Sequence, residues 1–172
     1  MKRVLLTGIS GTGKSTAIAE LAARGYKAVD ADSDAFSEWV EYINDPSDAG
    51  EIGSPVEPDR DWVWREDRLR QLLATEDAEV LFVSGCAPNM GEFLPQFDHV
   101  VLLSAPADVI AERLRTRTNN AYGKHPDEAA RVLDQLKTVE PLLRRAAGHE
   151  IVTTGGLDDI VATLIRLTES QK

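Results

Sequence analysis

Eight residues constrain this chain more than any others: Gly8-Ile9-Ser10-Gly11-Thr12-Gly13-Lys14-Ser15. They sit between a short apolar run, Val4-Leu5-Leu6, and a helix-forming run over 16–23 that ends near Gly25. An apolar run, a glycine-rich bend and a helix in that order predict a buried strand that turns sharply into a helix. The spacing G-x-x-x-x-G-K-S lets the backbone curl with its N–H groups inward, and the helix start adds its positive end to the same spot. Such a loop is an anion site built for phosphates: Lys14 reaches toward the β- and γ-phosphates and the Ser15 hydroxyl is placed for Mg²⁺.

The 172 residues suit one domain, 1–172, around a single core. No apolar run approaches the roughly 20 residues of a membrane helix. The chain passes from Met1-Lys2-Arg3 straight into the first strand, which leaves no room for a signal peptide, so a cytoplasmic location with no membrane partner is the simplest expectation. Nineteen basic against 29 acidic residues give a formal charge of −10. That balance argues against nucleic acid as a partner, because phosphate-backbone binding needs clustered positive charge. Cys86 is the only cysteine, which excludes an internal disulfide and a cysteine-based metal site. With no histidine nearby in sequence, it reads as a packed small residue rather than a nucleophile.

Strands are expected at 3–7, 26–30, 79–83, 97–103 and 149–153, alternating with helices. That alternation implies an α/β three-layer sandwich with a five-stranded parallel sheet. The second strand ends in Asp30-Ala31-Asp32-Ser33-Asp34. Ligands of open α/β sheets bind at the carboxyl ends of strands, so these acids are expected near the phosphate loop. Asp32 and Asp34 are suited to holding Mg²⁺ through water or taking a proton from an acceptor hydroxyl; capping of the next helix is the alternative. Phe36, Trp39, Val40 and Ile43 recur at helical spacing, which predicts a helix over 33–44. Residues 45–59, rich in Pro, Gly and acids, read as a substrate-covering loop or a plain surface segment. A helix is expected to restart over 61–73. Its Arg65 and Arg68 are placed either to bind an anionic group of an acceptor or to pair with nearby acids.

The third strand runs into Ser84-Gly85, where many phosphate-loop ATPases carry a magnesium-binding Asp. The missing acid shifts that duty toward 30–34. After the fourth strand, a helix carries Arg113 and Arg117 four residues apart, expected on one face. The polar, basic segment 115–126 then reads as a mobile phosphate clamp. One long helix over 127–147, kinked at Pro141, precedes the last strand.

Together, the loop from Gly8 to Thr16, the Asp30-x-Asp32 strand end, Glu112-Arg113-Leu114-Arg115-Thr116-Arg117 and the C-terminal strand–turn–helix resemble the small P-loop kinases. That group includes the nucleoside monophosphate, shikimate and gluconate kinases. The resemblance covers nearly the full length. It implies the P-loop NTPase fold with a lid segment, and ATP and Mg²⁺ as cofactors. It further implies that Gly8, Ser10, Gly11, Thr12, Gly13, Lys14, Ser15 and Thr16 hold the phosphates. By the same resemblance Arg113 stacks on the adenine, Arg117 contacts phosphates, and Thr154, Gly155 and Gly156 border the adenine. Asp32 would bind the acceptor or the magnesium shell, and Gly85 would line the acceptor site; from their positions in the chain rather than from the resemblance, Asp34, Arg65 and Arg68 are further candidate substrate residues. Catalysis would fall to Lys14, Asp32 and Arg117, and metal binding to Ser15 and Asp32.

Two departures weaken any transfer of the acceptor by likeness: Ser84-Gly85 is not the Asp-Gly of nucleoside monophosphate kinases, and Gly85-Cys86-Ala87 only partly resembles the glycine run of shikimate kinase. The expected activity is therefore transfer of the γ-phosphoryl group of MgATP to a small-molecule acceptor of open identity, in an oligomeric state left open. A nucleoside monophosphate kinase is the first alternative. A nucleotide-binding regulatory ATPase is the second, although no Asn-Lys-x-Asp guanine signature occurs.

Overall fold

The computed structural model describes residues 1–41, 60–118 and 121–169. Five parallel strands form the main sheet: β1 (Lys2–Thr7), β2 (Lys27–Asp30), β5 (Val80–Ser84), β6 (His99–Ser104) and β7 (His149–Val152). Their order is β2-β5-β1-β6-β7. The P-loop strand β1 is therefore central, registered Leu5↔Val83 on one side and Leu5↔Val100 on the other. Among the described residues, six α-helices accompany the sheet: α1 (Lys14–Ala23), α2 (Glu66–Ala74), α3 (Ala107–Thr116), α4 (Pro126–Thr138), α5 (Glu140–Ala146) and α6 (Leu157–Glu169).

Alternation along β1 divides the core in two. Val4 and Leu6, with Phe82, Val101 and Leu103, pack on Ile18 and Leu21 of α1 and Val161 and Leu164 of α6. Leu5, with Leu81, Val83 and Leu102, packs on Leu69 of α2, Ile110 and Leu114 of α3, Val132 of α4 and Leu143 of α5. This is the expected three-layer α/β sandwich with its parallel sheet. Val4, Leu5 and Leu6 are fully buried, and each contributes on the order of 1.5–3 kcal/mol by leaving water. Gly25 ends α1 as foreseen: its φ is 91°, its N–H bonds Ala22 O at 3.0 Å, and Tyr26 N–H bonds Leu21 O at 3.1 Å. That pair of bonds satisfies carbonyls the helix end would otherwise orphan.

The expected helix over 33–44 is not formed. Residues 31–36 make turns, and β3 (Ser37–Glu41) pairs antiparallel with β4 (Arg60–Trp64), with Trp39 opposite Trp62. The helix predicted from 61 accordingly begins only at Glu66. The helical spacing of apolar residues was outweighed by residue type, since Trp39, Val40, Trp62, Val63 and Trp64 are aromatic or β-branched and suit a pleated surface. The ribbon docks through short bonds: Ser37 Oγ–H to Ala31 O at 2.6 Å and Arg65 N–H to Phe36 O at 2.6 Å. The Asn89 side-chain amide accepts from Trp64 N–H at 3.0 Å and donates to Trp64 O at 2.9 Å, standing in for a neighbouring strand.

The single long helix expected over 127–147 is two helices. Val139 (φ −98°, ψ −46°) separates them, and Pro141 sits in the first turn of α5, where its missing N–H costs nothing. The proposed covering segment 45–59 and Asn119-Asn120 of the clamp lie outside the described residues. Among the described residues, no helix is long and apolar enough to cross a membrane.

Candidate active site

At the carboxyl end of β1, the chain turns through Gly8 into α1. A Cβ on Gly8 would lie 2.5 Å from Leu103 O and 2.7 Å from Thr12 Oγ1, so no side chain fits. Gly13 caps α1 in the left-handed region, φ 97°, which L-residues with side chains avoid. Thr12 Oγ–H closes the loop on Ile9 O at 2.9 Å. The Lys14 ammonium lies back along the loop, donating to Gly8 O at 2.5 Å and Ile9 O at 2.9 Å. Ser15 and Thr16 are exposed at the mouth of a cleft of about 660 Å³ that the loop opens onto.

The two arginines of the α3 segment meet this loop by different routes. Arg113 donates from Nη1 to Gly11 O at 3.2 Å and Thr153 Oγ1 at 2.9 Å, and from Nη2 to Thr153 O at 2.5 Å. Thr153 Oγ–H in turn donates to Thr12 O at 2.7 Å. One guanidinium thus ties α3, the P-loop and the end of β7 together. Arg117 is not on the helix face expected of an i+4 residue. α3 stops at Thr116, and Arg117 is extended (φ −63°, ψ 147°). Its Nη2 nevertheless reaches Ser10 Oγ at 3.2 Å and the carbonyl of Tyr122. Of the turn Thr154-Gly155-Gly156, Gly155 lines the cleft. Thr153 was missed by sequence reasoning. A lone threonine at a strand end carries no signal until the P-loop is seen beside it.

Across the cleft, the acids gather at the end of β2. Asp30 Oδ1 accepts from Asp32 N–H at 3.0 Å and Ser84 Oγ–H at 3.4 Å. Asp32 Oδ1 accepts from Trp64 Nε1–H at 2.8 Å, and Cys86 N–H lies 3.2 and 3.0 Å from Oδ1 and Oδ2. Trp62 Nε1–H bonds the backbone carbonyl of Asp32 at 2.9 Å. Desolvation raises the Asp32 carboxyl to about 6 and Asp30 pushes the same way, while Lys14 and the bonds from Trp64 and Cys86 oppose the rise. The thiol of Cys86 is buried, and desolvation pushes it up to about 12. Asp34 is exposed and lines the same cleft, with Trp39 and Trp62 beside it.

Three expected substrate residues are placed elsewhere. Gly85 is buried and does not line the cleft; a Cβ there would lie 2.7 Å from Trp64 Cζ2 and 2.8 Å from Asp32 Oδ1. Its smallness makes room for the Trp64–Asp32 contact rather than for a ligand. Arg65 donates from Nε to Ser37 O at 3.1 Å and faces Glu38 at 3.6 Å. Arg68 donates to Ala35 O at 2.7 Å. Both brace the β3 turn, and neither lines the cleft.

Among the described residues, no group of three or more His, Cys, Asp or Glu forms a ready-made metal cage. Mg²⁺ does not need one, since it is commonly held by one or two protein oxygens together with waters and phosphate oxygens. The Ser15 hydroxyl and the Asp30, Asp32 and Asp34 carboxylates, all facing one cleft, fit that donor set.

A family model described as "AAA domain" matches residues 4–157. No curated protein is significantly similar in sequence. Among solved structures, the chain is similar to shikimate kinase from Acinetobacter baumannii in complex with shikimate, at 21% identity and TM-score 0.64, covering 100% of this chain and 95% of that one. It is also similar to shikimate kinase from Bacteroides thetaiotaomicron, at 21% identity and TM-score 0.60, with 98% of each chain covered. A gluconokinase from Sinorhizobium meliloti matches at 22% identity and TM-score 0.58, over 98% of this chain and 94% of that one. These likenesses bear out the expected fold of the small P-loop kinases.

Proposed function

Given that the chain belongs to the AAA domain family, we propose that it is an ATP-dependent phosphotransferase moving the γ-phosphoryl group of MgATP to a small-molecule acceptor. One observation carries this reading. The P-loop and the Asp32 carboxylate, raised to about 6, face each other across a single cleft of about 660 Å³. A donor site and a group able to take a proton at neutral pH are what hydroxyl phosphorylation requires.

In this reading the P-loop amides, Lys14 and Arg117 neutralise the phosphates. Lys14 exchanges its present carbonyl partners for phosphate oxygens, a better match for an ammonium. Arg113 and Gly155 border the adenine, and Arg113 also keeps Gly11 in place through its bonds to the loop. Ser15 and Asp32, the latter through water, would hold Mg²⁺, which supplies charge neutralisation at the phosphates. Asp32 is held by Trp64 and Cys86 and orients or deprotonates the acceptor hydroxyl. Arg117, which reaches Ser10 of the P-loop, would serve as the lid contact that excludes water, so that transfer outcompetes hydrolysis.

The nucleoside monophosphate kinase alternative loses its specific support, because Arg65 and Arg68 do not face the cleft. The regulatory ATPase alternative gains none from the cleft, where Ser84 stands in place of the acid such ATPases usually carry. The test is ADP release from MgATP over a panel of nucleotides, nucleosides, sugars and hydroxy acids. A stimulated rate that disappears in Lys14→Ala is expected. Undiminished turnover in that variant would refute the assignment.

A further inference from the structure

The loop after β5 reaches Asp32 by two routes. Cys86 N–H meets the carboxylate directly, 3.0 Å from Oδ2. Asn89 meets it through Trp64. Among the described residues the β3–β4 sheet has two strands, so the outer edge of β4 has no third strand beside it. Asn89 takes that place at Trp64. Its Oδ1 accepts from the Trp64 N–H at 3.0 Å, and its Nδ2 donates to the Trp64 carbonyl at 2.9 Å. Among uncharged side chains, the amides of Asn and Gln set a donor and an acceptor side by side, as the edge of a peptide requires. Asn89 also precedes a short helical turn, Met90–Glu92, where an asparagine ordinarily caps the turn that follows it. Its side chain makes no such capping bond and is directed to Trp64 instead.

From the Trp64 peptide the constraint passes to the carboxylate. The indole is buried, packs on Phe93 with ring centroids 5.9 Å apart, and donates to Asp32 Oδ1 at 2.8 Å. Gly85 bounds the space it occupies, since a Cβ there would lie 2.7 Å from the ring. With its ring against Gly85 and its peptide clamped by Asn89, the indole is held where its N–H meets Asp32. Releasing the peptide lets the ring shift, because a close-packed interior passes a backbone displacement on to the side chains it carries.

We propose that Asn89 is a positioning residue for phosphoryl transfer: it fixes Trp64, and through the indole it keeps the Asp32 carboxylate aimed at the acceptor hydroxyl. Asn89 itself does not line the cleft. This inference rests on the phosphotransferase reading above and adds to it a residue outside the site. A side chain that served stability alone would leave the kinetics of the folded enzyme unchanged, whereas Asn89 acts on the acceptor half and spares ATP binding.

A double-mutant cycle with Trp64 on the full chain tests it. The substrate is MgATP with the compound, from a panel of nucleotides, nucleosides, sugars and hydroxy acids, that gives the fastest ADP release. Asn89→Ala is expected to lower kcat/KM for that compound about 10–100-fold, the scale of loss from a misplacement of about 1 Å, while the ATP-induced rise in melting temperature is kept. In a Trp64→Phe background the same substitution is expected to change kcat/KM by less than about twofold, since the bond it acts through is already gone. Exchange of the Trp64 indole N–H with solvent reads the same contact without any acceptor. Trp64→Phe identifies that resonance among the three tryptophans in proton–nitrogen correlation spectra, and Asn89→Ala is expected to speed its exchange about tenfold. If Asn89→Ala does not fold, Asn89→Gln, which keeps the amide on a longer arm, carries the same cycle. Equal effects in the two backgrounds, or unchanged indole exchange, overturn the inference. A folded, ATP-binding chain whose ADP release no compound of the panel raises refutes the kinase reading instead, and indole exchange then decides by itself whether Asn89 holds Trp64 on Asp32.

Discussion

The indole N–H of Trp64 points at Asp32, 2.8 Å from Oδ1, and Gly85 leaves the space in which they meet. Trp64 is 1% exposed and rests on Phe93 at 5.9 Å between ring centroids. The carboxylate that faces the P-loop is thus positioned by a core side chain on a different sheet.

Asp32→Asn separates the two consequences of that burial. The amide oxygen still accepts from Trp64, and the closer Cys86 contact is weakened because an amide nitrogen replaces the oxygen there, a local cost that leaves the fold in place, while loss of a positioned base costs about 10²–10⁴ in turnover. The folded carboxyl lies at about 6 against an ordinary 3.8. The native state therefore binds the proton more readily than the unfolded chain between those values. Its contribution to stability is full below 3.8 and is lost as pH rises through 6, by up to about 3 kcal/mol at 1.36 kcal/mol per unit. Melting of the ligand-free protein across pH 4–8 should show this decline in the wild type relative to Asp32→Asn; parallel curves would contradict it.

Trp64→Phe keeps most of the packing and deletes the donor. A hydrogen bond to a charged acceptor is worth about 1.5–3 kcal/mol, or about one to two pH units. The bond favours the carboxylate, so its loss moves the acidic limb of the pH–rate profile upward from about 6. An unmoved limb would show that Trp64 serves packing alone.

Gly85→Ala places a methyl group 2.7 Å from the Trp64 ring and 2.8 Å from the Asp32 carboxylate. Overpacking of this kind costs about 1–3 kcal/mol. Because both displaced groups belong to the proposed acceptor side, turnover should fall while ATP affinity, measured by titration, stays near that of the wild type.

Thr153→Val removes one hydroxyl that accepts from Arg113 and donates to Thr12 O. Thr153 is buried, so two partners lose a bond in a site water barely reaches. A loss of about 1–3 kcal/mol in denaturant unfolding is expected, with weaker ATP binding as the P-loop loosens. Thr153→Ser, which keeps the hydroxyl, should restore most of both.

Lys14→Ala should leave the melting temperature of the ligand-free protein within a degree or two. Its ammonium bonds only loop carbonyls in the absence of phosphate. The ATP-induced rise in melting temperature should vanish with the variant, since that rise reports binding free energy.

Local patterns announced what depends on neighbours in sequence. The loop from Gly8 to Ser15, the continuous apolar strands of a covered parallel sheet, the Gly25 helix stop and the acids ending β2 could all be read from the chain, because strand burial and phosphate loops are encoded by residues adjacent to one another. The β3–β4 ribbon could not. Trp39 and Trp62 are 23 positions apart, and a spacing that also suits a helix is decided only when the opposite strand arrives. Neither Arg65 nor Arg68 lines the cleft: Arg65 faces Glu38 and Arg68 holds the carbonyl of Ala35, partners about 30 residues away that the local sequence does not announce.

What the amino-acid order determined by itself was the P-loop half, a short-range backbone design in which glycines, Lys14 and a helix start must be contiguous. Tertiary structure decided the other half. The partners of Asp32 (Trp64, Cys86 and Gly85), the anchoring of Arg65 on the β3 turn, and the joining of Arg113 to Thr153 all depend on segments between 28 and 54 residues apart in sequence. No periodicity encodes such distances; packing around the sheet brings these groups together, and with them the chemistry of the acceptor side.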